Sequence, residues 1–245
     1  MGRASRARKT GARARPARVQ PVLIGAEELE KGAPGPGGTL LRLARPGEAD
    51  DVARLAEMTG GPLDEYMHGA IETGSASAAL ISALSAGSEA LLGPAARFAR
   101  SGDPTPMTEL SLALVAEEDG RIAGALYALP PGRFITQCID KGLPPTHAAV
   151  TATAAIKIKA LAVDPEWRGR GIATALLGGC TGLYDKLGYH LLYGSFTVGS
   201  GLGAFYSARG FDLVPPGSGI SMNVFIGLES GIGADGNEQL FARWR

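Results

Sequence analysis

The chain has 245 residues, 45% of them apolar, which suits one domain with a substantial core and tails. Its 24 basic and 24 acidic residues cancel, but Arg3, Arg6, Arg8, Lys9, Arg13, Arg15 and Arg18 leave the rest of the chain at −7, a balance that excludes a broadly basic nucleic-acid-binding body and mildly favours a cationic small partner. Cys138 and Cys180 make no disulfide framework, His68, His147 and His190 have no metal-ligand spacing, and no run approaches the 18 apolar residues of a membrane span.

Residues 1–38 read as a basic, Pro/Gly-rich flexible leader, with Gly32-Ala33-Pro34-Gly35-Pro36-Gly37-Gly38 as linker and a single domain over 39–245. Pro21-Val22-Leu23-Ile24 is too short for a signal-peptide apolar region. The Arg-rich, acid-poor start has some transit-peptide character, but the cytoplasm is the expected location. Thr39–Ala44 reads as a strand, stopped by Pro46-Gly47, and Glu48-Ala49-Asp50-Asp51 as the acidic first turn of a helix. Residues 64–100 are helical in periodicity, with breaks near Gly74 and Gly87. Leu112–Ala116 and Ile122–Tyr127 flank Asp119-Gly120, the signature of a hairpin. The prolines of 130–150 suggest an irregular excursion, a candidate substrate lid. Ala154–Val163 is then a strand, Gly171–Leu187 a helix, Leu191–Val198 a strand and 201–208 a short helix. Final strands are expected within Phe211–Val214 and Ile220–Leu228. This order predicts an α/β (α+β) domain whose mixed sheet has helices on both faces.

The segment Leu161-Ala-Val-Asp-Pro-Glu-Trp-Arg-Gly-Arg-Gly-Ile-Ala-Thr-Ala-Leu-Leu177 carries the chemistry. A buried strand ends at Val163, Asp164-Pro165 turns the chain, and a glycine-rich turn opens a helix. The first amides of a helix lack internal partners and sit at a positive dipole end, so they bind phosphate oxygens. Gly169 and Gly171 let the backbone approach an anion closely. Arg168 and Arg170 add positive charge, and either can instead point to solvent.

Arg168-Gly169-Arg170-Gly171-Ile172-Ala173 resembles the Gln/Arg-x-x-Gly-x-Gly/Ala signature of the GNAT family of N-acetyltransferases. Leu-Ala-Val-Asp-Pro before it and Thr-Ala-Leu-Leu after it fit the same family. Phe205-Tyr206-Ser207-Ala208-Arg209-Gly210-Phe211 is similar to that family's Tyr-x-x-x-Gly-Phe sequence, and Leu40–Glu57 to its first strand and helix, so the resemblance spans 39–228. It implies a mostly antiparallel central sheet and acetyl-CoA as co-substrate, with no metal. The implied contacts to the cofactor are Leu161, Ala162 and Val163 on a splayed strand edge, then Arg168, Gly169, Arg170, Gly171, Ile172, Ala173 and Thr174 at the pyrophosphate. Val163, or an amide beside it, would polarise the thioester carbonyl. Tyr206 is implied as the acid that protonates the departing thiolate, and Ser200 as a replacement where relatives carry an asparagine at the position of Gly199.

Many relatives place a carboxylate base on the strand before the phosphate loop, where this chain has Lys157 and Lys159. Asp64, Glu65, Tyr66, His68 and Glu72 are the other candidates, with a water chain as the alternative; Glu117, Glu118 and Asp119 read as solvated turn residues. The expected acceptor is a primary amine, a small cationic or antibiotic-like metabolite rather than a peptide or protein amine. A non-catalytic acyl-CoA-binding domain of the same fold is the remaining alternative. The expected partners exclude membranes and specific nucleic-acid contact, nonspecific contact being left to the basic leader, and allow a homodimer. Gly199-x-Gly201-x-x-Ala204 superficially resembles a dinucleotide fingerprint, but no acid follows within Ser218–Leu228.

Overall fold

The computed structural model describes residues 25–227 and 229–245; the basic run of the leader and Leu228 lie outside them. Residues 25–38 depart from the expected leader. Helix α1 (Ala26–Lys31) buries Leu29, and β1 (Ala33–Pro34) pairs with β2 (Leu40–Leu43) across the turn Pro36–Gly38. The Pro/Gly composition that resembles a linker instead serves an edge strand and its turn, where a missing N–H and positive φ are tolerated.

Helix α2 (Ala49–Glu57) begins in the acidic turn. Next come α3 (Glu65–Thr73), closed by Gly74 in the left-handed conformation, α4 (Ala78–Ala86), α5 (Leu92–Ser101) and the single turn α6 (Thr105–Thr108). Strands β3 (Leu112–Glu118) and β4 (Arg121–Leu129) form the expected hairpin, with both turn residues, Asp119 and Gly120, at positive φ (52° and 75°). The expected irregular excursion is two helices, α7 (Gly132–Asp140) and α8 (Pro145–Ala154). Its prolines stand at helix starts, where an absent N–H costs nothing.

The chain continues through β5 (Ala155–Val163), α9 (Ile172–Lys186), β6 (Leu191–Thr197), α10 (Leu202–Ser207) and β7 (Asp212–Leu213). The expected last strand shrinks to β8 (Ile220–Ser221), followed by α11 (Asn223–Ile226) and β9 (Gly231–Ile232). An unforeseen strand, β10 (Glu238–Trp244), inserts between β6 and β7. The main sheet runs β1-β2-β3-β4-β5-β6-β10-β7, antiparallel at every pairing except β5–β6. β8 and β9 form a separate ribbon.

Both faces are covered. Leu112, Leu114 and Ala116 of β3 pack with Leu176, Cys180 and Leu183 of α9, while the alternate residues Ala113 and Val115 pack with Val52 and Leu55 of α2. On β5 that alternation changes phase: Ile156 and Ile158 share the α9 face, whereas Ala160 and Ala162 share the α2 face. The cause is a bulge, since Ala160 pairs with Tyr127 and Ile158 with Ala128, leaving Lys159 as the extra residue. Among the described residues no helix is long and apolar enough to cross a membrane.

Gly194 of β6 fixes the close approach of strands here. A Cβ on it would lie 2.4 Å from Phe241 Cζ and 2.8 Å from the Ile158 carbonyl oxygen. Gly194→Ala therefore destabilises the fold by about 1–3 kcal/mol through overpacking. A lowered urea midpoint at unchanged slope checks this; an unchanged midpoint would show that the neighbours yield freely.

Candidate functional site

The sheet opens in its middle. β5 and β6 pair only from Ala155↔Leu191 to Ile158↔Gly194. Beyond that point, at the bulged Lys159, the strands diverge around a cleft of about 530 Å³. It is lined by Ile158 to Val163 on one side, by Ser195, Phe196 and Thr197 on the other, and by Ser200 and Tyr206. β6 keeps its full register with β10, so β5 loses its partner while β6 remains anchored. The freed edge of β5 offers backbone donors and acceptors to an extended guest.

At the far end of β5, Asp164 caps the turn Pro165–Trp167 by accepting from the Glu166 amide, 3.3 Å. Gly169 and Gly171 then take φ of 78° and 86°, and α9 starts on Gly171 with no side chain capping its first amides. These amides border a second cavity, about 330 Å³, lined by Val163, Arg168, Gly169, Gly171, Ala173 and Thr174 together with Arg209. Val163 and Arg168 also line the central cleft, so the two are neighbours. A Cβ on Gly169 would meet nothing within 4 Å, so the space over the loop is open to a ligand.

The expected basic residues fare differently. Arg168 donates from Nε to the Val163 carbonyl, 3.1 Å, and remains at the junction of the two cavities. Arg170 instead turns to Glu118, 3.0 Å away, which also accepts from the Trp167 indole. A second cation beside Arg168 lines the cavity at the start of α9: Arg209, within the Tyr-x-x-x-Gly-Phe segment. Its Nε donates to Thr174 Oγ1 at 3.1 Å and its guanidinium carbon stands 3.7 Å over the Phe205 ring. Burial lowers its pKa from the usual value. The sequence signal was its place one turn after Phe205, on the same side of α10. We expect Arg209→Gln to weaken coenzyme A binding about tenfold, the scale of one charge-assisted hydrogen bond. Calorimetric titration measures it, and unchanged affinity would remove Arg209 from the phosphate site.

Tyr206 lies where α10 meets the cleft, 7% exposed, its ring stacked at 3.7 Å on Phe241 and at 6.0 Å from Phe196. No hydrogen bond ties its hydroxyl to any described residue. Burial pushes its pKa up to about 12, so the phenol keeps its proton at neutral pH. Ser200 also lines the cleft; its Oγ accepts weakly from the Leu202 amide, 3.4 Å. Leu161, Ala162 and Val163 lie on the freed edge.

A third cavity, about 470 Å³, opens on the other side of Lys159, which lines both it and the cleft. Helix α7 supplies Arg133 and Phe134, β5 supplies Lys157, β9 supplies Ile232 and the segment after it Asp235. Of the candidate bases, Asp64 reaches this cavity, but it already accepts from the Met67 amide (2.9 Å) and the Tyr127 hydroxyl. Burial and then the Asp64 charge hold Tyr127 far above its usual pKa. The others are elsewhere. Glu72 accepts from the Gly47 and Ala49 amides (3.0 and 3.1 Å) at the start of α2, and His68 Nε2 lies 2.9 Å from Asp50. Glu65 is exposed, and Tyr66 lines a neighbouring cavity beyond Asp64. Glu117 pairs with Arg42. Among the described residues no group of three or more His, Cys, Asp or Glu side chains could hold a metal.

Residues 109–213 match the family model described as acetyltransferase (GNAT) domain. No curated protein sequence matches the chain. Among solved structures, it is similar to a GNAT family acetyltransferase from Elizabethkingia anophelis with acetyl-CoA bound, at 18% identity over 55% of this chain and 76% of that one, TM-score 0.37. The paia N-acetyltransferase from Thermoplasma acidophilum in complex with coenzyme A is 16% identical over 84% of this chain and 98% of that one, TM-score 0.42. N-acetylglutamate synthase from Neisseria gonorrhoeae, complexed with coenzyme A and N-acetyl-glutamate, is 13% identical over 84% of this chain and 35% of that one, TM-score 0.42.

Proposed function

We propose that this chain, whose residues 109–213 match the acetyltransferase (GNAT) domain model, transfers the acetyl group of acetyl-CoA to a primary amine by direct attack. One observation carries the reading: three cavities follow one another along β5, neighbours sharing Val163 and Arg168 as wall residues at one boundary and Lys159 at the other. They provide, in order, a phosphate cradle, a channel for an extended arm and a chamber for an acceptor.

The residues present fit coenzyme A. Glycine takes the left-handed φ values of Gly169 and Gly171 with least strain, and the uncapped start of α9 directs amides and a positive dipole end at the cradle. The freed edge of β5 between Lys159 and Val163 can bond the arm as a sheet edge bonds an added strand. When bound, the cofactor supplies an activated acetyl thioester. A backbone amide of this edge, Val163 or one beside it, stabilises charge developing on the thioester oxygen, and one such donor contributes about 2.7–4 kcal/mol. Tyr206 holds its proton at the cleft wall and delivers it to the leaving sulfur. Lys159 sets the state of the incoming amine, because a neighbouring like charge disfavours the protonated form. That effect supplies neutral amine without a carboxylate base on β5.

Release of thiol from acetyl-CoA in the presence of a panel of primary amines tests the reading, with the acetylated amine identified by mass. Equal amounts of thiol and acetyl-amine are expected. Tight coenzyme A binding with no acetyl-amine from any acceptor would leave a binding domain and overturn the proposal.

A further inference from the structure

The acceptor chamber has a sign that the acidic body of the chain does not predict. Its lining includes three cations, Lys157, Lys159 and Arg133, and two anions, Asp64 and Asp235. Both anions are already engaged: Asp235 Oδ2 accepts from Arg133 at 2.7 Å, and Asp64 accepts from Met67 and Tyr127. That pair is exposed and holds Arg133 only weakly. Lys157 and Lys159 are left, and neither has a carboxylate within 4.0 Å among the described residues. Both side chains are partly buried and, two positions apart on β5, they share the lining of this cavity. Burial, then the charge of Lys159, lowers the pKa of Lys157, while the more distant charges of Glu238 and Asp235 act to raise it. Two half-buried ammonium groups that repel each other over a cavity are unfavourable unless an anion joins them. The remaining walls are largely apolar, from Leu63, Leu129, Phe134 and Ile232.

We propose that the acceptor is an amino acid, whose carboxylate is held between Lys157 and Lys159, whose apolar side chain occupies the wall of Leu129, Phe134 and Ile232, and whose α-amine faces the cleft at Lys159. This assignment rests on the acetyl-transfer reading above. It replaces the cationic metabolite expected from net charge, because the charge at the site outweighs the average over the surface. The reaction balances simply. The amine nitrogen forms a bond to the acetyl carbon, the carbon–sulfur bond breaks, Tyr206 protonates the sulfur, and the nitrogen loses a proton to solvent.

Matched pairs that differ only in the carboxylate provide the test: leucine against isoamylamine and phenylalanine against phenethylamine. The wild type is expected to favour the amino acids at least about tenfold in kcat/KM, the scale of one charge-assisted contact. Lys157→Met and Lys159→Met, which keep most of the aliphatic stem, should collapse that ratio towards one, and Lys157→Arg should retain it. A ratio near one in the wild type, or one that survives both methionine variants, overturns the assignment. Calorimetric binding of each pair to the coenzyme A-loaded protein separates this from failure of the transfer reading. Lysine-dependent amino-acid binding without turnover would sustain the carboxylate site while overturning acetyl transfer. Lysine-independent binding, or none, would overturn the carboxylate site whether or not other amines are acetylated.

Discussion

Gly171→Glu abolishes coenzyme A binding, lowering affinity by at least roughly 100-fold, the equivalent of about 2.7 kcal/mol. Three effects act together. Gly171 has a φ of 86°, where a side chain with a Cβ is strained. Its Cβ would stand 3.7 Å from Pro36, an ordinary contact, so a longer side chain also has Pro36 to accommodate. The carboxylate would then occupy the amide-lined start of α9 and repel a pyrophosphate there. A glutamate at a helix N-terminus is favourable to the helix itself, so the domain should still fold. Gly171→Asn provides the control, because asparagine tolerates the left-handed conformation without adding charge. It should bind far more tightly than the glutamate variant. Equal affinities in wild type and Gly171→Glu would move the phosphate site elsewhere.

Tyr206→Phe is the second large effect, with kcat falling about 100-fold while coenzyme A affinity changes little. The phenylalanine ring can keep the stacking on Phe241 and Phe196, so only the hydroxyl is lost. Burial favours the neutral phenol, whose pKa is pushed up to about 12, and ionisation of Tyr206 should not reduce the rate as pH rises from 6 to 10. Single-turnover thiol release for wild type and variant across that range measures both points. A full-rate variant would exclude Tyr206 as the acid. An alkaline fall near pH 10 in the wild type, absent in the variant, would show a phenol with an ordinary pKa.

Much of this architecture was legible because local rules and tertiary fold agree. The Asp119-Gly120 turn, the Gly74 stop, the acidic start of α2 and the strand–turn–helix around Gly169 and Gly171 each have a backbone requirement that few residues satisfy. What was missed depends on partners distant in sequence. β10 contains Glu238, Gln239 and Arg243, and qualifies as a strand through pairing with β6 and β7. Prolines that suggested a loop at 130–150 mark the starts of α7 and α8. Arg170 resembles a phosphate ligand until Glu118, 52 positions earlier, is seen to hold it. Lys157 and Lys159 looked like a mere absence of carboxylate; the chamber they both line is built by α7 and by residues 231–235, distant in sequence.

The placement of β10 has a consequence for the order in which the protein can be made. Ser195, Phe196 and Thr197 form one wall of the cleft, and β5 no longer pairs with them; their ladder partners are Leu240, Gln239 and Glu238. Until residues 238–244 have left the ribosome, that wall has no hydrogen-bonded neighbour on either side. The phosphate cradle, by contrast, uses residues 163–209 and can form earlier. If the proposed function holds, a nascent chain would carry the cradle for the cofactor's phosphates before it has the second wall of the channel for the acyl arm.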